Sequence, residues 1–337
     1  MGSNGPPQLT VRALRREIEL AEERIRPYVV ETPIELSHSL SRRGDAEVFL
    51  KHEQVQHTGS FKFRGATNKI LSLSRPERVR GVVAASTGNH GIAVAEALAT
   101  LGAQGTVFLP KVAAAAKIAG IRARGAEVRI VGEDCVEAEL AARAFAVEQD
   151  RPFISPYNDP QVVAGQGTVG VELARRPGRL DAVFIAVGGG GLISGCAAWL
   201  SKRRNGPRII GAQPKRSDVM RRSIEAGCIV DVPSGETLSD GTAGGIEPGA
   251  LTFPLCHQLI DEMVLVTELE IARAMRLLVD EHHVLVEGAA AVPVAAYLKV
   301  RRRFRGQRIG LVLCGRNVSG EVVRTVLQSR PGGPGRS

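Results

Sequence analysis

A chain of 337 residues, 44% hydrophobic and with 38 glycines, exceeds one ordinary domain and fits a compact α/β enzyme with many tight turns. Its net charge of +9 comes mostly from arginines scattered among acids, and with aromatics at only 4% this argues against a nucleic-acid partner. No apolar run reaches the roughly 18 residues that a membrane span needs.

The start, Met1 to Pro7, lacks a signal peptide's apolar core and has Pro6 where a myristoylation signal wants Ser or Thr. It reads as a disordered leader (1–8) of a cytoplasmic protein. The cysteines, Cys135, Cys196, Cys228, Cys256 and Cys314, are odd in number and widely spaced, which favours reduced thiols over a disulfide framework or a zinc knuckle. From Thr10 to Arg26, Leu14, Ile18, Ala21 and Ile25 form one helical stripe, with Thr10 as its cap. Thr32-Pro33 breaks it, residues 48–51 form a strand, and a helix follows over 63–73. Strands at 82–85, 106–109 and 127–131 then alternate with helices at 91–101, 112–124 and 136–148, the pattern of a parallel sheet covered by helices. A break at Ser155–Pro160 precedes a helix over 162–175 and strands at 182–187 and 208–212. Residues 234–248 read as a long glycine-rich loop. Helices are expected at 251–262, 267–281 and 289–300, with a last strand at 309–314. The run Arg301-Arg302-Arg303-Phe304-Arg305 reads as a solvated turn, and a Pro/Gly tail follows Arg330.

Four stretches carry chemistry. In Thr58-Gly59-Ser60-Phe61-Lys62-Phe63-Arg64-Gly65-Ala66, one lysine sits in an apolar frame. Partial burial between Phe61 and Phe63 would release the uncharged amine that a Schiff-base enzyme needs. The alternative is a surface lysine whose stem lies along apolar neighbours. Gly188-Gly189-Gly190-Gly191-Leu192 follows a strand and opens a helix. It suits a terminal phosphate, lacks both the P-loop lysine and the dinucleotide spacing, and has a plain strand-to-helix turn as its alternative. Ser86-Thr87-Gly88-Asn89-His90-Gly91 brings several N–H groups to one place, as a carboxylate requires, or is simply a capped helix start. Cys314-Gly315-Arg316-Asn317 ends the last strand, where small polar groups face ligands at a sheet's carboxyl edge. Cys314 by itself reads more often as a small core residue.

These motifs, in this order, resemble the fold-type II enzymes that use pyridoxal 5′-phosphate, specifically the threonine/serine dehydratase and serine racemase group. The resemblance covers about Thr10 to Val326. It implies a two-lobed, doubly wound α/β fold with parallel-rich sheets. A small lobe (81–157) is inserted in a larger one (9–80 with 158–328), and the cofactor lies in the cleft between them. By the same resemblance Lys62 holds the cofactor and carries the substrate α-proton, and Phe61 lies beside the ring. Asn89 bonds the phenolic oxygen, Gly188, Gly189, Gly190, Gly191 and Leu192 cradle the phosphate, and Cys314 faces the pyridine nitrogen. Ser86, Thr87, Asn89 and His90 receive the substrate carboxylate. Glu287 matches a family glutamate whose role stays open. A thiol opposite the ring nitrogen makes the ring a moderate electron sink, which favours prompt loss of a β-hydroxyl. The expected activity is a dehydratase acting on L-threonine, L-serine or a related hydroxy amino acid, as a cytoplasmic homodimer.

Departures from the family pattern bear on the alternatives. Thr87 stands where racemases carry a serine, which weakens racemisation. Gln213 and Val219 replace carboxylates of the family's divalent-metal site, and Asp218 alone is a poor ligand set, so no metal is predicted. The chain ends about twenty residues past Asn317, so no feedback through an appended regulatory domain is expected. Hydroxyectoine-utilisation dehydratases resemble this chain in Gly59-Ser60-Phe61-Lys62, the Ser86–Gly91 loop and Gly315-Arg316-Asn317. A β-replacement synthase, a non-catalytic regulatory module on the same fold and a dehydrogenase are the remaining readings; the last lacks the dinucleotide fingerprint.

Overall fold

The computed structural model describes residues 9–175, 178–201 and 206–328. The leader expected at 1–8 and the tail expected at 331–337 lie outside them. Among the described residues there are nine strands: β1 (Ile34–Leu36), β2 (Glu47–Lys51), β3 (Val82–Ala85), β4 (Gly105–Leu109), β5 (Glu127–Ile130), β6 (Ala182–Ala186), β7 (Arg208–Pro214), β8 (Glu262–Val266) and β9 (Arg308–Val312).

They form two sheets. Six strands lie in the order β1-β2-β9-β6-β7-β8, and three in the order β3-β4-β5. Only the short β1 runs antiparallel, pairing Ile34 with Lys51; the other pairs are parallel. Parallel strands need crossover helices, which bury both faces and explain near-continuous apolar runs such as β6, buried throughout. The fold is therefore the mixed α/β, parallel-rich architecture that the resemblance implies.

The first helix, Val11–Ile25, buries the expected stripe of Leu14, Ile18, Ala21 and Ile25, and Thr10 caps it by accepting from the Ala13 amide at 3.2 Å. The helix Pro160–Arg175 runs through the interior, buried from Val162 to Leu173. Glycines let it touch its neighbours almost backbone to backbone. A Cβ at Gly165 would stand 2.7 Å from the Gly65 Cα, and one at Gly195 would stand 2.8 Å from the Gly167 Cα. This single element therefore sets the helix Lys62–Ser72 against the helix Gly191–Leu200.

Two expectations change. The helix predicted over 251–262 covers only Thr252–Leu259, and the chain then becomes β8. The open edge of β7 captures it: Asp261 donates its amide to the Ile209 carbonyl (3.0 Å), and its carboxylate accepts from the Ile209 amide (2.7 Å). The loop at 234–248 contains a short 3-10 turn, Asp240–Thr242. In the basic run, Phe304 is buried and Arg303 pairs with Glu262 at 2.6 Å, while Arg302 and Arg303 stay in solvent.

Candidate active site

A cleft of about 500 Å³ opens where the carboxyl ends of strands from both sheets converge. Segments following β3, β6 and β9 line it, with the start of the helix Lys62–Ser72. The residues to which the resemblance assigns the site line it together: Phe61, Lys62, Ser86, Thr87, Asn89, His90, Gly188, Gly189, Gly190, Gly191, Leu192, Cys314 and Glu287.

Lys62 is the first residue of its helix, and its Nζ donates to the Pro156 carbonyl at 2.8 Å. Burial lowers its pKa to about 8, against the raising influence of Cys314 and Glu287. The ammonium lies 5.2 Å from the centre of the Phe61 ring. Phe63 does not share in this frame. It points into the core of the smaller sheet and meets His57 edge-on at 5.5 Å. Successive helical side chains diverge by about 100°, so Lys62 and Phe63 cannot face the same way.

Arg64 points away from the cleft into a buried charge cluster that the sequence did not announce. It bonds Glu53 and Glu172, while Lys51 bonds Glu172 and the Thr32 carbonyl. All four side chains are almost wholly buried. In sequence each resembles an ordinary surface charge. The opposed carboxylates hold the Arg64 guanidinium firmly charged.

The glycine turn is closed in from outside. A Cβ on Gly189 would come within 2.5 Å of the Tyr157 ring, and one on Gly188 within 3.1 Å of the Thr242 Cα. Gly190 has φ +88°, a left-handed conformation that costs other residues roughly 1–2 kcal/mol. It begins the helix Gly191–Leu200 with no side-chain cap, so the first-turn amides remain open to an anion. Tyr157 and Thr242 were not predicted; a lone aromatic in the Ser155–Pro160 break was the available signal for the first.

The second loop is built likewise. Gly88 starts the helix Asn89–Leu101, two residues earlier than predicted, and no side chain caps it. The Ser86 hydroxyl accepts from the Gly88 amide at 3.1 Å. A side chain at Gly91 would collide with the Ser86 carbonyl, so the loop folds tightly over the helix start. The His90 ring is buried and donates through Nε2 to the Ile154 carbonyl at 2.9 Å. Burial, helped by the Lys62 charge, pushes its pKa down to about 3, so it is neutral. Its ring has no second N–H, and only the backbone amide of His90 is a donor for an anion.

At the far wall, burial holds the Cys314 thiol well above its ordinary pKa, so it stays protonated. Glu287, also buried, has its pKa raised to about 7 by desolvation and by Asp240. The Asn89 amide donates to both Glu287 oxygens at 2.9 Å. Gly315 makes room for that carboxylate: a Cβ there would lie 2.5 Å from Oε1. In the stretch compared with a metal site, the Asp218 carboxylate pairs with Arg221 (2.6 Å) and Arg222 (2.8 Å), and the Gln213 side-chain Oε1 accepts from the Arg221 backbone amide.

These residues fit pyridoxal phosphate. The glycine cradle has backbone amides without a side-chain cap for a phosphate and no room for side chains, and an amine of lowered pKa sits in the same cleft for an aldehyde.

Residues 25–315 match the family described as pyridoxal-phosphate dependent enzyme. The chain is 39% identical to the L-threonine ammonia-lyase of Thermotoga maritima over 92% of its length and 77% of that protein. It is 34% identical to the L-threo-3-hydroxyaspartate ammonia-lyase of Saccharomyces cerevisiae, covering 93% of this chain and 96% of that one. In structure it is similar to the processed threonine deaminase isoform 2 of Solanum lycopersicum, with TM-score 0.90 and 33% identity over 97% of this chain and 96% of the other.

Proposed function

The chain belongs to the family of pyridoxal-phosphate dependent enzymes, and on that premise we propose that it is a dehydratase of β-hydroxy amino acids, with L-threonine and L-serine as its substrates. The observation that carries this reading is Lys62, an amine with pKa about 8 in the same cleft as a four-glycine phosphate cradle. The relatives' names support the reaction class, since threonine and 3-hydroxyaspartate ammonia-lyases both act on amino acids with a β-hydroxyl.

The bound cofactor supplies an electron sink for the pair left when the α-proton departs. The remaining work falls to the protein. Gly188, Gly189, Gly190, Gly191 and Leu192 hold the phosphate through backbone amides at a helix start, where the helix dipole also favours an anion. Ser86, Thr87 and the amides of Asn89 and His90 orient the substrate carboxylate. Lys62 would hold the cofactor until the substrate's amine takes its place, and the freed Nζ can then accept the α-proton; a pKa near 8 leaves a useful neutral fraction at physiological pH. Phe61 lines the same cleft and would pack against the bound cofactor. A Cys314 thiol kept protonated would add no charge to the cofactor, which would favour prompt loss of the β-hydroxyl as water. The enamine left by that loss takes up water to give a 2-oxo acid and ammonia.

The same reading treats the chain as two lobes, 81–157 and 9–80 with 158–328, which the separate three-stranded sheet supports. It also makes the protein a cytoplasmic homodimer. Family resemblance alone supports the dimer, and widely spaced free cysteines support a reducing compartment. Among the described residues no helix is long and apolar enough to cross a membrane.

The test is a panel of L- and D-hydroxy amino acids, including a hydroxyectoine-derived one, scored for 2-oxo acid and for inverted enantiomer. L-Threonine and L-serine should yield 2-oxo acid with little inversion, because Thr87 stands where racemases carry a serine. Inversion without 2-oxo acid would make the protein a racemase. Turnover of the hydroxyectoine-derived compound alone would replace the substrate.

A further inference from the structure

Resting on the assignment of this cleft to pyridoxal phosphate chemistry, we propose that Asn317 is a positioning residue, setting the orientation of the Asn89 amide and, through it, the Glu287 carboxylate. Asn317 follows β9 and stands at the exposed rim of the cleft, where it joins three segments far apart in sequence. Its side-chain nitrogen donates to the Thr58 carbonyl (2.9 Å) and to the Asn89 side-chain oxygen (2.6 Å). Its backbone amide donates to Glu287 Oε2 at 3.2 Å. The Ser60–Gly315 bridge and a bond from the Arg316 amide to the Gly59 carbonyl (2.9 Å) hold the surrounding backbone to the Lys62 loop.

The chemistry of the donors makes this a one-way chain of decisions. An asparagine amide fits its site in either of two flips, because its oxygen and nitrogen are alike in size. The Thr58 carbonyl only accepts, so the Asn317 nitrogen must lie against it. That nitrogen has a second hydrogen, which requires an acceptor, so Asn89 must present its oxygen. The Asn89 nitrogen then faces Glu287, where it donates to both carboxylate oxygens. One backbone carbonyl in the Lys62 loop thus sets two amides and one carboxylate across the cleft. Without Asn317 the Asn89 flip is left to Glu287 alone, and that buried carboxyl, with its pKa raised to about 7, pairs with either flip whenever it carries a proton.

The experiment uses the full-length holoenzyme with Asn317→Asp, close to isosteric but without the donor, alone and combined with Glu287→Gln. Asn317→Asp is expected to turn the Asn89 amide over. It should lower kcat ~10-fold, change KM less than kcat, and shift the visible band of bound pyridoxal phosphate. The side-chain amide introduced by Glu287→Gln can donate to a turned Asn89, so Asn317→Asp should cost at least ~5-fold less in that background. If Asn317→Asp does not fold, Asn317→Ala serves, with pyridoxal phosphate affinity expected to fall ~10-fold. A single variant within twofold of the parent with an unshifted band, or strictly multiplicative losses in the double variant, overturns the inference while leaving the dehydratase assignment intact. For Asn317→Ala, affinity within twofold does the same. A parent protein that binds no pyridoxal phosphate and releases no 2-oxo acid removes the assignment and this inference together.

Discussion

At the scale of single residues, the site depends on two ionisable groups moved from their ordinary pKa values by burial: Lys62 down to about 8 and Glu287 up to about 7. Glu287 has a direct consequence for stability. The folded chain keeps a proton that the unfolded chain loses above about pH 4.5, so this group makes folding less favourable as pH rises from there to about 7. The shift corresponds to roughly 3 kcal/mol. Urea unfolding of the apo-protein and of Glu287→Gln should therefore show a stability difference that moves by about that amount, in favour of the variant, between pH 4 and pH 8. A constant difference would mean that Glu287 titrates normally. Lys62 was readable in sequence because the glycine loops supplied its context. Glu287 was located by resemblance but its role was not readable, because its partners Asn89 and Asn317 reach it only through the fold. Phe63 shows the opposite error: adjacency suggested a shared environment that helical geometry forbids.

Among the elements, the helix Pro160–Arg175 determines how the helices Lys62–Ser72 and Gly191–Leu200 meet. An alanine in place of glycine within a helix ordinarily stabilises by about 1 kcal/mol. Gly165→Ala should do the reverse, because its Cβ would lie 2.6 Å from the Arg64 carbonyl and 2.7 Å from the Gly65 Cα. A loss of roughly 1–3 kcal/mol in denaturant unfolding is expected, and any gain would contradict this close packing. Arg64→Met should cost about 3–5 kcal/mol, since it removes the guanidinium shared by the buried Glu53 and Glu172 and leaves them to Lys51 and, on Glu172, Arg26. Unchanged stability there would show that the cluster is not the tie between β2 and the two helices. The long helices were legible from their 3.6-residue stripes. β8 was not, because its apolar run continues the preceding helical pattern and only the exposed edge of β7 decides against the helix.

Across the whole molecule, the smaller sheet is tied to the rest by an apolar cluster in which Phe63, Ala66 and Ile70 meet Val94, Ala97 and Leu98, while polar contacts close the rim of the cleft. Arg143, on the helix Cys135–Glu148 beside the small sheet, pairs with Glu247 at 2.7 Å. The Glu247 amide in turn donates to the Tyr157 hydroxyl at 2.9 Å, next to the glycine cradle. A partly exposed pair of this kind contributes about 1 kcal/mol or less, so on the proposed two-lobe reading this rim contact yields easily when the cleft opens or closes. L-Serine should slow limited proteolysis of the holoenzyme, and Arg143→Ala should raise cleavage a few-fold only in its absence. Equal cleavage with and without L-serine would argue against closure. Alternating strands and helices made the architecture legible, whereas pairings between residues about 100 positions apart, such as Arg143 with Glu247, leave no local trace. The most direct test of the whole account is the visible absorption of the protein loaded with pyridoxal phosphate. The parent chain should show a band that changes on adding L-threonine as 2-oxo acid appears, and Lys62→Ala should show neither. A stable band in Lys62→Ala, or its absence in the parent, would contradict the account.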